Sequence, residues 1–207
     1  MILNTVYYLF LNYFYYFVSF IFCFYLLILQ IKKIKFNHFN VIFLLLIILI
    51  NHSLILSYFQ FIAFKNHPIS QFLLPPYQSI FWFLGYIFNH YFKVSFFRII
   101  GGIINIFIVY IINNLFKNSL FYKEEYKKVF LVSLMIDFPL NLLLIPVAFL
   151  YVLLLHFLYI FKYKSFNKDQ KISTKFFWLP LAFLFIIINI YFIKNLDSFK
   201  FLYKFIP

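Results

Sequence analysis

The chain has 207 residues, of which 66% are hydrophobic and only 11% are charged, and its mean hydropathy is +0.95. Soluble domains are about 45–50% apolar and about 25% charged, so this composition excludes a water-soluble globule; the wealth of apolar residues excludes a disordered chain. The formal net charge is +13, and the basic residues stand between apolar segments, where they indicate the flanks of membrane helices rather than a nucleic-acid surface. We therefore predict an all-α, polytopic transmembrane helix bundle of five to six helices.

The predicted elements follow from the need for about 20 apolar residues to cross a bilayer. Residues 6–30 and 41–64 are the first two predicted spans, and residues 80–92 are short enough to fit an interfacial or re-entrant helix. The third span is expected to start between residues 93 and 98 and to end near 116.

The C-terminal part contains two further predicted spans. The polar stretch 117–128 is expected to be a loop. The apolar run 129–161 exceeds one crossing, so its span is expected to begin near Pro139 and to kink at Pro146. After a second loop, the last span is predicted at residues 176–193.

Arg98 is the single arginine in a chain that otherwise uses lysine, and it indicates a need for the planar guanidinium group. Ser95 precedes it by three residues, so both project from one helix face. Together they could hydrogen-bond a carbonyl oxygen in an apolar slot, and Gly101 and Gly102 would admit a close neighbour. The alternative is an arginine that extends to the membrane interface beside glycines that pack helices.

Few other residues suggest chemistry. His156 lies deep in an apolar run, where a neutral imidazole needs a partner, so it could support a haem, relay protons or bond a neighbouring helix. Asp137 precedes Phe138 and Pro139, a position typical of a helix-start cap. Cys23 is the sole cysteine, which excludes an intrachain disulfide and a cysteine-based metal site.

Several of these residues resemble motifs of the membrane-anchor cytochrome b subunit of succinate dehydrogenase (respiratory complex II). Residues 67–73 with Tyr77 are similar to that family's Arg/Pro/Leu/Ser/Pro/His/Leu…Tyr box. Residues 95–101 are similar to its Ser-x-x-His-Arg-x-Ser/Thr-Gly box, with Phe97 at the histidine position. His156 falls where the family has a later histidine, and the three predicted helices of this region, the last at residues 176–193, come in the same order as in the family.

The resemblance implies a role for each part. Residues 67–207 would form the quinone-anchor-like three-helix region, and residues 1–66 would add two N-terminal transmembrane helices. Ser95 and Arg98 would bind ubiquinone. His156 would lie near haem b, although Phe149 stands near the position of the axial ligand and cannot bind iron.

In this interpretation the chain is a non-catalytic membrane subunit of an oxidoreductase complex. Its partners would be an iron–sulfur subunit, a second small membrane anchor and lipids such as cardiolipin, with no nucleic acid. The excess of Phe, Ile, Lys, Asn and Tyr is typical of an AT-rich coding sequence, which favours an organelle-encoded protein of the mitochondrial inner membrane.

Other membrane subunits remain as alternatives. Arg98 with Gly101, and residues 147–149, are also similar to segments of the proton-channel subunit a of the ATP synthase. The Gly101-Gly102 pair suggests a proton-pumping subunit of respiratory complex I. A purely structural subunit of a respiratory complex is the remaining alternative.

Overall fold

The computed structural model describes residues 2–34, 37–116, 120–122, 124–138, 140–163 and 177–189, and every regular element within them is helical. The α-helices are α1 (Ile2–Ile31), α2 (His38–Asn66), α3 (Ile80–Ile87), α4 (Lys93–Leu115), α5 (Glu125–Met135), α6 (Leu144–Tyr163) and α7 (Trp178–Ile188). Short 3-10 turns cover Ser70–Leu73 and Leu140–Leu143. The prediction of an all-α fold is confirmed for these residues.

Three described segments are long and apolar enough to cross a membrane, judged by length and composition. They are Phe14–Ile31 within α1, His38–Asn66, and Ile80–Leu115. Two shorter apolar helical stretches, Leu140–Leu155 and Trp178–Ile188, come later in the described chain. The last predicted span extends beyond α7 into residues outside the described part.

The short helix predicted at residues 80–92 does not end before the third span in the structure. α3 continues through a π-helical turn, Phe88–Phe92, directly into α4, which makes one segment of 36 residues. At 1.5 Å per residue this segment is about 54 Å long, well beyond the roughly 30 Å hydrocarbon core of a bilayer. Arg98, expected at the start of a helix, therefore lies near its middle.

The apolar run 129–161 divides differently from the prediction. α5 begins at Glu125, inside the stretch predicted as a loop, and ends at Met135. The chain is non-helical around Asp137 and becomes helical again at Leu140. Pro146 falls in the first turn of α6, where a proline is tolerated without a kink. The expected start of the second span near residue 139 is close to this re-entry into helix.

α5 forms the centre of the packed helices. Its apolar side chains from Val129 to Met135 are almost fully buried, apart from the partly buried Phe130, and it packs against α4, α2, α7 and α1. A helix surrounded on all sides carries apolar residues all round, so no amphipathic periodicity marked it in the sequence.

α4 buries its small and polar residues against the neighbouring helices and turns its large apolar ones outward. The buried face contains Ser95, Arg98, Gly101, Gly102, Asn105, Val109 and Asn113. Ile103, Phe107 and Tyr110 are more than half exposed. A helix of a soluble protein buries its apolar residues and exposes its polar ones, so α4 has the reverse arrangement. Lipid favours this arrangement, because small residues allow close helix contact and buried polar groups bond across helices.

We predict that replacing Gly101 even by alanine destabilises the fold. A Cβ at Gly101 would overlap the side-chain amide of Asn141, whereas a Cβ at Gly85 would meet nothing within 4 Å. Gly101→Ala should therefore lower the free energy of unfolding by about 1–3 kcal/mol. Gly85→Ala, the matched control, should leave it unchanged or raise it, because alanine favours helix more than glycine does. Thermal unfolding of the detergent-purified protein measures both, and equal midpoints for the two variants would contradict the packing.

Candidate functional site

A buried ion pair joins α4 to the interruption between α5 and α6. The Arg98 Nε atom donates to Asp137 Oδ1 at 2.6 Å, and Arg98 Nη2 donates to the same oxygen. The two side chains are only 4% and 5% exposed. Because a carboxylate buried without a partner is strongly unfavourable, the guanidinium at this position makes the burial of Asp137 possible.

Tyrosines of α1 and an asparagine after α7 surround this pair. The Arg98 Cζ atom lies 3.9 Å from the ring centroid of Tyr15, within cation–π range. The Tyr16 hydroxyl donates to Asp137 Oδ2, and Asn189 Nδ2 donates to the same oxygen at 3.0 Å. Groups from α1, α4, the interruption and the end of α7 thus converge on one carboxylate. We call Tyr15, Tyr16, Arg98, Asp137 and Asn189 the ion-pair cluster.

The ion-pair cluster is directly attached to the central helix. The Tyr15 hydroxyl donates to the carbonyl oxygen of Leu134 at 2.7 Å, one turn before Asp137. Both carboxylate oxygens of Asp137 accept hydrogen bonds, so its charge is balanced by one cation and stabilised by neutral donors. Such an arrangement can hold helices in one geometry, and it can also hold or pass a proton if the pair opens.

Ser95 lies on the same buried face as Arg98 but has a different partner. Its Oγ lies 3.0 Å from Ser53 Oγ on α2. Ser53 also donates toward the carbonyl oxygens of Tyr91, at 3.0 Å, and Leu49, at 3.2 Å. A hydroxyl has one hydrogen, so when Ser53 uses its own for a carbonyl, Ser95 donates to Ser53.

The structure brings two of the three predicted site residues together. Ser95 and Arg98 share the buried face of α4, as their spacing predicts. His156 belongs to α6, and its side chain lies outside the described residues. Phe149 packs against Phe116, with ring centroids 6.1 Å apart. No group of three metal-ligating side chains occurs among the described residues. The haem b site at His156 stays a prediction.

Sequence reasoning missed the partner of Arg98. Asp137 was expected to cap a helix start, but its carboxylate binds Arg98, Tyr16 and Asn189. One signal could have identified it: Asp137 is the single acid within the apolar run 129–161, as Arg98 is the single arginine of the chain. Two lone opposite charges in apolar segments are expected to pair.

A second group of buried polar side chains lies further along α4. Asn105 Nδ2 donates to Ser133 Oγ at 2.8 Å and to the carbonyl oxygen of Asn141 at 2.7 Å. Asn105, Ser133 and Asn141 are fully buried. These bonds join α4 to α5 and to the 3-10 turn on opposite sides of the interruption, so the turn is held although the helix is broken.

Comparisons with protein-family models, with curated proteins and with solved structures found no match to this chain.

We predict that Arg98 and Asp137 depend on each other for stability. Arg98→Leu leaves a buried carboxylate unpaired and should lower the free energy of unfolding by about 3–5 kcal/mol. Adding Asp137→Asn should recover most of this loss, because the amide is neutral and its oxygen still accepts from Tyr16 and Asn189.

Thermal unfolding of the single and double variants in detergent measures this coupling. Lys65→Leu is the control, since Lys65 is an exposed cation at the end of α2, and it should have little effect. A double variant no more stable than Arg98→Leu alone would show that the pair is not the stabilising unit.

Proposed function

We propose that this chain is a non-catalytic, multi-pass subunit of a mitochondrial respiratory complex in the inner membrane. Its main role is to anchor succinate dehydrogenase and to form part of its ubiquinone site. The observation that carries the proposal is the lone arginine, buried with Ser95 on one face of a long apolar helix. The chain has one cysteine, Cys23, so it cannot by itself supply the thiolates of an iron–sulfur cluster, and in this proposal flavin and iron–sulfur chemistry belongs to the soluble partner subunits.

Membrane anchoring is supported by the polarity of the packed helices. Polar residues of α4 are buried between helices, and large apolar side chains of α1, α2 and α4 face outward. In water this arrangement would expose an extensive apolar surface, while in lipid it satisfies both the surface and the buried polar groups. The length of the Ile80–Leu115 segment suggests that one end of it extends beyond the hydrocarbon core toward a partner subunit.

In the proposed ubiquinone site, Ser95 is the residue that can change partner most easily. Arg98 is held by a charged carboxylate and the Tyr15 ring, whereas Ser95 has a neutral hydroxyl partner in Ser53. A quinone carbonyl would take the hydrogen bond that Ser95 gives to Ser53. Arg98 would stay bound to Asp137 and would act at a distance, as a fixed positive charge that stabilises negative charge on the quinone oxygen.

A second candidate function is proton translocation, as in a proton-pumping subunit of complex I. The observation that favours it is the position of Asp137 at a break between helices, since interrupted helices and buried ionisable residues mark ion and proton paths in membrane proteins. The ATP synthase alternative has less support, because Arg98 is enclosed within its own chain by Asp137 and Tyr15 rather than on an outward surface.

Purification from native membranes tests the assignment directly. The full chain, isolated with a mild detergent, should bring down the flavin-containing and iron–sulfur subunits of succinate dehydrogenase. Recovery of complex I or ATP synthase subunits instead would overturn the proposal in favour of the corresponding alternative. Recovery of none of these complexes would remove the respiratory assignment altogether.

We predict that Ser95→Ala raises the KM for ubiquinone of the assembled complex by about tenfold, the equivalent of one hydrogen bond of about 1.4 kcal/mol. Ser53→Ala is the matched control, since it removes the partner of Ser95 and leaves the Ser95 hydroxyl free for the quinone. Its KM should stay the same or fall. Steady-state quinone reduction measures both variants, and equal KM values for wild type and Ser95→Ala would exclude Ser95 from the site.

A further inference from the structure

Two buried amide side chains retain unused hydrogen-bonding capacity near the helix interruption. The Nδ2 and Oδ1 atoms of Asn141 and the Oδ1 atom of Asn105 have no hydrogen-bond partner among the described residues. Both side chains are 0% exposed. An unpartnered buried polar group costs about 1–3 kcal/mol, so native proteins almost always provide a partner for it, either from the chain or from ordered water.

The orientation of the Asn105 amide is fixed by its neighbours. Its nitrogen donates to the carbonyl oxygen of Asn141, which can only accept, so the amide cannot be rotated to exchange its nitrogen and oxygen. The unpartnered atom of Asn105 is therefore an acceptor. Asn141 adds one further acceptor and one amide donor.

The two amides are close enough to share one small molecule. The Asn141 amide lies against Gly101, and Gly101 is one turn before Asn105 on the same face of α4. The Asn105 amide nitrogen also lies 2.7 Å from the carbonyl oxygen of Asn141, so the two residues are in direct contact. Gly101 has no side chain, so the Asn141 amide occupies the position that a Cβ there would take.

We propose that a water molecule is bound between Asn105 and Asn141 as a structural part of the helix interruption. Water donates two hydrogen bonds and accepts further ones, which matches two free acceptors and an amide donor. A metal cation does not match, because two amide oxygens fall short of the four to eight ligands that cations take in proteins. Three hydrogen bonds are also the usual number for a buried water. This inference is independent of the proposed respiratory function.

A cryo-EM map of the native assembly tests the water directly, at a resolution that shows other buried waters. Density is expected within about 2.7–3.2 Å of both Asn141 Nδ2 and Asn105 Oδ1. A direct bond between the two amides, or the absence of density between them, would overturn the proposal.

A substitution gives a second, independent test. Asn141→Leu keeps the branching of the side chain but removes its polar atoms. With the water present, the variant loses those hydrogen bonds, and the unfolding midpoint should fall by about 3–6 °C. Without the water, the variant removes two unsatisfied groups, and an unchanged or higher midpoint would contradict the proposal.

Asn114→Leu is the matched control, because it makes the same chemical change at an exposed position of α4 and should leave the midpoint unchanged. If Asn141→Leu does not accumulate, the density at the two amides decides the question alone.

Discussion

The arrangement of these helices depends on one constraint, which is the burial of Arg98 with Asp137. An isolated charge in an apolar interior is strongly unfavourable, so each side chain requires the other. The pair in turn fixes its neighbours, because Tyr15 stacks on the guanidinium while Tyr16 and Asn189 bond the carboxylate. Helices far apart in sequence, α1, α4 and α7, are thereby brought to one point.

The same constraint explains why the helix is interrupted at Asp137. The non-helical segment aims the carboxylate at Arg98, and its backbone would be costly in lipid unless buried in protein. Asn105 supplies hydrogen bonds to the polar groups on both sides of the interruption. Its amide donates to Ser133 before the interruption and to the carbonyl oxygen of Asn141 after it. Gly101 permits this close approach, since any larger side chain would overlap the amide of Asn141. The polar interior and the apolar exterior together favour a membrane subunit.

Hydropathy predicted the class of fold and most of the helices, because a segment needs about 20 apolar residues to cross a bilayer as a helix and such segments are visible in the sequence. It did not predict that residues 80–115 are continuous, since uniform apolarity gives no signal for where a helix ends. It also missed the division of residues 129–161, because the break at Asp137 is determined by a tertiary contact with Arg98. The type and spacing of Ser95 and Arg98 predicted that they share one helix face, whereas Asp137 was interpreted from its local context alone.

The most direct measurement of the central claim is a high-resolution structure of the chain in its native membrane assembly. The account predicts that the Arg98 guanidinium contacts the Asp137 carboxylate of the same chain, enclosed by Tyr15 and Tyr16 and away from lipid phosphates. An Arg98 side chain that contacts a different subunit or lipid headgroups, with Asp137 elsewhere, would contradict it.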